Sequence, residues 1–314
     1  MFRAMSHMKE IEVAIIGAGP AGITAAIYAK RKGLNVEIFE AQIAGGTLNE
    51  AVLIENYPGF EPISGAKLAE KMISQVKKIG VTINESEMVV SAKKNSEWFE
   101  LITDSNKTIK AKAVILASGA HRRRLKVAGT EKFEGKGISY CATCDGPLFE
   151  GKDVAIIGGG NSGAVNALYM KNIARTVYLI EYMPKLVCET AYIEQLKEKG
   201  VKIITSAEVV EFFGKDSLEG LKYKEHPSGE EKTIYVQGVF AYIGIEPHNE
   251  IAKMLGCELD EKGYVKVDLK MKTSLPGVFA AGDITGVFQQ LIVACGQGAI
   301  AAESAYRHLQ NMAK

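Results

Sequence analysis

The chain has 314 residues and a formal net charge of +1, with 47% hydrophobic and 24% charged residues. That length can hold two domains with proper cores, and the composition is that of an ordinary globular protein. A near-zero charge gives no electrostatic case for nucleic acid or an anionic membrane surface, and no apolar run approaches the ~18 residues of a membrane span.

Met1–Met8 is short and followed by charge, so it does not read as a secretory leader. The apolar run Ile11–Ile16 leads into Gly17-Ala18-Gly19-Pro20-Ala21-Gly22, a helical stretch over Ala21–Lys32, and a second strand, Val36–Glu40, ending in an acid. Strand, glycine turn, helix, strand and terminal acid make up the grammar of a dinucleotide site. Gly17 permits the tight turn, Gly19 lets a pyrophosphate approach the backbone, and Gly22 lets the helix pack on the sheet. The helix N-terminus offers free N–H groups to the phosphates, and Glu40 is placed to accept from a ribose. A glycine loop without a ligand would leave that acid unexplained.

Gly45-Gly46-Thr47 and Asn56-Tyr57-Pro58-Gly59 read as turns, and Ala66–Ile79 has helical spacing. Short alternating strands fill 81–116 and close on Ala113–Gly119. His121-Arg122-Arg123-Arg124 is polar and irregular, either a solvated hinge or a surface for phosphate or an acidic partner. Next comes Cys141-Ala142-Thr143-Cys144-Asp145. The glycine grammar then repeats: Asp153–Ile157, Gly158-Gly159-Gly160-Asn161-Ser162-Gly163, a helix over Ala164–Ile173 and a strand, Val177–Glu181, with its acid at the same offset as before. A helix around Ala191–Lys199 and strands over 201–243 follow, then the breaker-rich Gly244–His248. The tail is strand–turn–helix again, with Gly277–Asp283 ahead of a helix from about Gln290.

The expected fold class is α/β, with two Rossmann-like dinucleotide-binding domains. The first is discontinuous, 1–121 plus 248–314, and the second, 122–247, is inserted into it and carries the Cys pair. A dithiol between two dinucleotide sites suggests electron transfer between a cofactor and sulfur. The five Cys include one close pair, with Cys188, Cys257 and Cys295 scattered, so this is not a secreted disulfide framework. Zinc would need two more ligands at a fitting spacing, and the five His stand alone, so no metal site is expected. The alternative of two inert buried thiols fits poorly with the Gly146-Pro147 that follows and with the flanking nucleotide sites. Two thiols at this spacing favour a low pKa for one of them, and Asp145 can donate a proton during exchange with a flavin. Glu181 can accept from the ribose hydroxyls of NAD(H) but repels the 2′-phosphate of NADPH, and Tyr182-Met183-Pro184-Lys185 supplies one Lys where a clamp of Arg would be needed. A Rossmann turn that keeps its fold but binds nucleotide poorly is the other reading of this second copy.

Across residues 10–310 these motifs, with Glu55–Gly59, Cys141–Gly146 and Thr273–Asp283, give a chain that resembles the low-molecular-weight thioredoxin reductases. In this stretch it is similar to archaeal members with an atypical NADPH pocket. The resemblance implies FAD held by Gly17, Gly19, Pro20, Ala21, Gly22, Glu40, Ala41, Gly46, Thr47, Asn56, Gly119, Gly282, Asp283, Gln290 and Leu291. It implies that Gly158, Gly160, Asn161, Ser162 and Glu181 face a nicotinamide dinucleotide, with NADH or a non-nicotinamide donor ranked above NADPH, because Glu181–Lys185 stands where NADPH-using members carry His-Arg-Arg and a further Arg. Catalysis would fall to Cys141, attacking the disulfide of a thioredoxin-like protein, to Cys144, facing the flavin, and to Asp145. A cytosolic homodimer is expected, with the linkers near 120–128 and 243–248 as hinges. A reductase of another dithiol carrier would share the chemistry. A ferredoxin–NADP reductase would need no Cys pair, and a non-catalytic flavin redox sensor would show no turnover.

Overall fold

A computed structural model describes residues 8–51 and 54–312; the opening residues on which the leader reading rests lie outside these. The chain folds as two compact units, one made of residues 1–121 and 246–314 and the other of 122–245.

The first unit begins with β1 (Met8–Ile16), α1 (Pro20–Arg31) and β2 (Val36–Phe39). Val13, Ala14 and Ile15 are fully buried. That is why β1 reads as a continuous apolar run: a parallel strand covered on both faces has no solvent side on which to alternate. Pro20 opens α1 where its missing N–H costs nothing, and Lys30 and Arg31 sit in the last turn, favourable to the helix dipole. Next come α2 (Gly65–Lys78), capped by Ser64, β3 (Thr82–Asn84), β4 (Val89–Lys94), β5 (Phe99–Thr103) and β6 (Thr108–Leu116). The sheet runs β3-β2-β1-β6-β5-β4. The first half of β6 pairs antiparallel with β5, which leaves residues 114–116 for a later strand.

The chain crosses to the second unit through β7 (Ala120–Arg122) and returns through β16 (Ile245–Pro247), and these two strands form a small sheet. This part of His121–Arg124 is therefore strand rather than irregular linker. A three-residue polar strand paired across more than a hundred residues leaves no periodicity to read. Between the crossings lie α3 (Thr130–Phe133), β8 (Ile138–Ser139), α4 (Ala142–Asp145), β9 (Asp153–Ile157), α5 (Asn161–Met170), β10 (Thr176–Ile180), α6 (Thr190–Glu198) and β11 (Lys202–Ile204). Three antiparallel strands follow, β12 (Ala207–Phe213), β13 (Gly220–Glu225) and β14 (Glu231–Tyr235), and then β15 (Gly238–Ala241). The parallel sheet has the order β11-β10-β9-β15-β8, with β12-β13-β14 as a separate sheet.

Beyond β16 come α7 (Glu250–Met254), β17 (Val278–Ala280), which pairs parallel with the end of β6, and α8 (Leu291–Met312). A Cβ on Gly298 of α8 would lie 2.2 Å from the Ala21 carbonyl oxygen, so α8 and α1 approach backbone to backbone.

Candidate functional site

The two glycine turns are built alike. A Cβ on Gly17 would meet the Ala117 carbonyl oxygen at 2.2 Å, and one on Gly22 the Gly17 carbonyl oxygen at 1.9 Å. In the second copy Gly158 would meet the Tyr242 oxygen at 2.2 Å and Gly163 the Gly158 oxygen at 1.8 Å. Packing alone therefore demands the outer glycines. The middle ones differ: Gly19 and Gly160 have no atom within 4 Å of such a Cβ, and their φ values of −75° and −81° suit any residue. Both precede helices whose first turns have no side-chain cap, so no side chain at the cap position takes up their N–H groups. A glycine that the protein does not need, beside uncapped donors, fits a dinucleotide phosphate.

Around the first turn Glu40 accepts the Ala18 N–H at 2.8 Å and the Gln42 N–H at 2.9 Å, next to exposed Ala41. Glu85 accepts the Ala44 N–H at 2.8 Å, and Gly45 donates to the Ala18 oxygen. Gly46, at φ +57°, packs with a would-be Cβ 3.2 Å from Gly19 Cα, and the exposed Thr47 follows in a short 3-10 turn. Asn56 donates to Gln290 at 3.1 Å, just ahead of Leu291 and α8. Gly119 is in the left-handed region at φ +68° with open space beside it, and its oxygen accepts the His248 N–H. Gly282 lies against Ala21, so the tail reaches the first turn. Asp283 follows; burial pushes its carboxyl above the ordinary aspartate value, and no donor reaches its side chain among the described residues. A desolvated carboxylate beside glycine-lined space fits the hydroxyl-rich chain of a flavin dinucleotide. Gln297, unmarked by any sequence motif, accepts the Gly282 N–H.

The second turn is held more tightly. Glu181 is 7% exposed, and its two oxygens accept the Gly159 N–H at 2.5 Å and the Met183 N–H at 2.7 Å. The carboxylate expected to receive a ribose thus anchors its own loop. Asn161 and Glu189 are clamped reciprocally, with the Asn161 amide donating to the Glu189 carboxylate and the Glu189 N–H to the Asn161 oxygen, both at 2.8 Å. Val187 donates to the Gly159 oxygen, and a Cβ on Gly159 would meet Leu186 at 2.6 Å. Ser162 is exposed, and Tyr182, Met183 and Val187 form an exposed apolar rim.

Cys141 and Cys144 are joined in a disulfide at the two ends of the first turn of α4. Cys144 is exposed and Cys141 half-buried, so accessibility alone favours attack by Cys144, against the assignment drawn from the resemblance. Hydrogen bonding points the other way: the Cys144 N–H donates to Cys141 Sγ at 3.2 Å, and the Thr143 hydroxyl lies 3.3 Å from it. Donors of this kind stabilise a thiolate. Ser139, unforeseen in the sequence, accepts the Cys141 N–H at 3.0 Å and donates to Asp145 Oδ2 at 2.6 Å. Tyr242 accepts the Ala142 N–H at 3.1 Å. Of the remaining thiols, Cys257 and Cys295 are buried, and burial raises the pKa of Cys188.

The profile of the pyridine nucleotide-disulphide oxidoreductase family matches residues 11–298. A thioredoxin reductase of Ureaplasma parvum is 40% identical over 94% of this chain and 96% of its own. The crystal structure of T. acidophilum thioredoxin reductase superposes with a TM-score of 0.92 at 44% identity, covering 95% of this chain and 98% of that one. Lactococcus lactis thioredoxin reductase reaches the same TM-score at 34% identity, covering 96% and 99%.

Proposed function

Since this chain belongs to the pyridine nucleotide-disulphide oxidoreductase family, we propose that it is a flavin-dependent thioredoxin-disulfide reductase. The single observation that carries the reading is the Cys141–Cys144 disulfide with thiolate-stabilising donors on Cys141 Sγ. Gly17, Gly19, Gly22, Glu40, Gly46, Asn56, Gly119, Asp283 and Gln290 would hold FAD, and bound FAD supplies the two-electron chemistry that reduces this disulfide.

In the reduced dithiol, the Cys144 N–H and the Thr143 hydroxyl hold negative charge on Cys141. The Cys141 thiolate attacks one sulfur of the partner disulfide, and the other partner sulfur leaves as thiolate. Cys144 then attacks Cys141 Sγ, which re-forms the internal disulfide and releases the partner as a dithiol. Ser139 holds Asp145 beside this exchange, where the carboxyl can carry the proton that Cys144 must lose and regain.

A nicotinamide donor would meet Gly158, Gly160, Asn161 and Ser162. The loop engagement of Glu181 and the absence of Arg from the 182–187 rim favour NADH or a non-nicotinamide donor over NADPH. Scattered thiols support a reducing cytosol, and a homodimer is the proposed assembly. Among the described residues no helix is long and apolar enough to cross a membrane.

Anaerobic stopped-flow separates the parts of this proposal. Flavin reduction is followed with NADH, NADPH and a reduced low-potential carrier, and the reduced protein is then mixed with oxidised thioredoxin. Reoxidation with stoichiometric thioredoxin thiol is expected. A reduced flavin that never yields thiol would leave a flavin sensor instead.

A further inference from the structure

Gln297 is 6% exposed, and its side chain holds a turn from the opposite element. Its Oε1 accepts the Gly282 N–H at 2.7 Å and lies 3.1 Å from the Thr285 hydroxyl, which is also 2.9 Å from the Gly282 carbonyl oxygen. One amide oxygen thus fixes both ends of the Gly282–Thr285 turn. The turn needs fixing because Gly282, at φ +85° and ψ −155°, occupies a region where glycine is freest and chain sterics impose little. Gln297 itself cannot drift. Its neighbour Gly298 lies against the Ala21 backbone, and Ala21 in turn touches Gly282. Ala21 and α8 therefore pack around Gly282, the residue that precedes Asp283.

We propose that Gln297 is a positioning residue for the flavin: it orients the Gly282–Asp283 turn so that the Asp283 carboxylate accepts from a hydroxyl of the bound cofactor. The proposal rests on the flavin reading above. Gln297 touches neither cofactor nor reacting atoms, and it acts through Asp283.

The test is the FAD dissociation constant of the full-length protein, measured by flavin fluorescence after stripping and reloading, together with the absorption spectrum of the bound flavin and thermal unfolding of the stripped protein. Gln297→Met keeps length and apolar packing but removes the acceptor. It is expected to weaken FAD binding about tenfold, the loss of roughly one good hydrogen bond, and to shift the flavin bands. Asp283→Asn should also weaken binding, and the double variant should bind no more weakly than the weaker single, because both act through one contact. Thr285→Val reads the same turn, with an expected loss of about threefold, and decides the matter if Gln297→Met does not fold. An unchanged FAD affinity and spectrum in Gln297→Met, with only the melting temperature lowered, would overturn the proposal. Losses that multiply in the double variant would overturn it as well. Wild-type protein that folds but takes up no FAD would bring down the flavin reading itself, a result visible before any variant is made.

Discussion

The two glycine turns share one backbone design and differ in how their acids are spent. Glu40 and Glu181 each accept the N–H of the residue just before Gly19 or Gly160 and an N–H two residues beyond themselves. Glu40 is part-exposed, whereas Glu181 is buried under a segment that returns through Leu186 and Val187 and is locked by Asn161 and Glu189. One turn is presented and the other is braced. A shared fingerprint therefore establishes the turn but not the ligand, since what decides the ligand is how far the flanking segment leaves the acid free.

The dithiol gives the largest expected effect, and it belongs to the unit of the braced turn while the residues proposed to hold flavin belong to the other. Cys141→Ser or Cys144→Ser should lower disulfide reduction on the order of 10³-fold or more, yet leave FAD content unchanged. Flavin loss in either variant would break the division of labour between the units.

The middle glycines come next. Gly19→Val and Gly160→Val meet no protein atom within 4 Å of the new Cβ. Each should leave stripped-protein stability within about 0.5 kcal/mol of wild type. Gly19→Val is expected to weaken FAD binding ~100-fold or more, and Gly160→Val only the response to a nicotinamide donor. Equal FAD loss in both variants would erase the distinction.

A smaller change concerns donor choice. Replacing Tyr182 and Met183 by Arg while keeping Glu181 adds a phosphate clamp without loosening the loop, and should raise NADPH-dependent flavin reduction about 30-fold, equivalent to ~2 kcal/mol. Glu181→Ala, which strands the buried Gly159 N–H, should instead cost about 1–3 kcal/mol in thermal stability, more than Glu40→Ala. Equal costs would mean that the second turn is no more braced than the first.

The smallest effect depends on pH. Burial raises the Asp283 carboxyl above its ordinary 3.8, so the folded stripped protein binds that proton more tightly than the unfolded chain does. The stability this contributes is full below pH 3.8 and lost as pH rises through the raised folded value. Asp283→Asn should therefore stabilise stripped protein at pH 7 and have little effect below pH 3.8, as read by denaturant midpoints at the two pH values.

The outline of the fold was legible because two strand–glycine–helix–strand units and a tail with the same rhythm leave strong local signals. The apolar runs of β1 and β9 and the small residues of α1 reflect burial on both sides, which composition records directly. What was not legible depends on partners distant in sequence. The β7–β16 pairing has no periodicity, Ser139 beside Asp145 is a common residue in a short strand, and Gln297 reads as one helical polar residue among many. The offset of Glu181 marks it as the acid of its turn but not its engagement by Gly159 and Met183, since an acid at that offset serves a ribose or its own loop equally well. The same holds for the Cys pair: spacing marked the chemistry, while the donors on Cys141 and the exposure of Cys144 emerged only from the folded turn.

The most direct measurement of the central claim is to trap the exchange. Cys144→Ser protein, reduced and freed of reductant, is mixed with a single-cysteine thioredoxin whose thiol is activated as a disulfide with thionitrobenzoate, so that the attacking thiolate displaces thionitrobenzoate. The product is digested without reduction and the cross-linked peptide is identified by mass spectrometry. The account predicts one mixed disulfide, through Cys141. A bond through Cys188, Cys257 or Cys295, or a trap that forms only in Cys141→Ser and runs through Cys144, would contradict it.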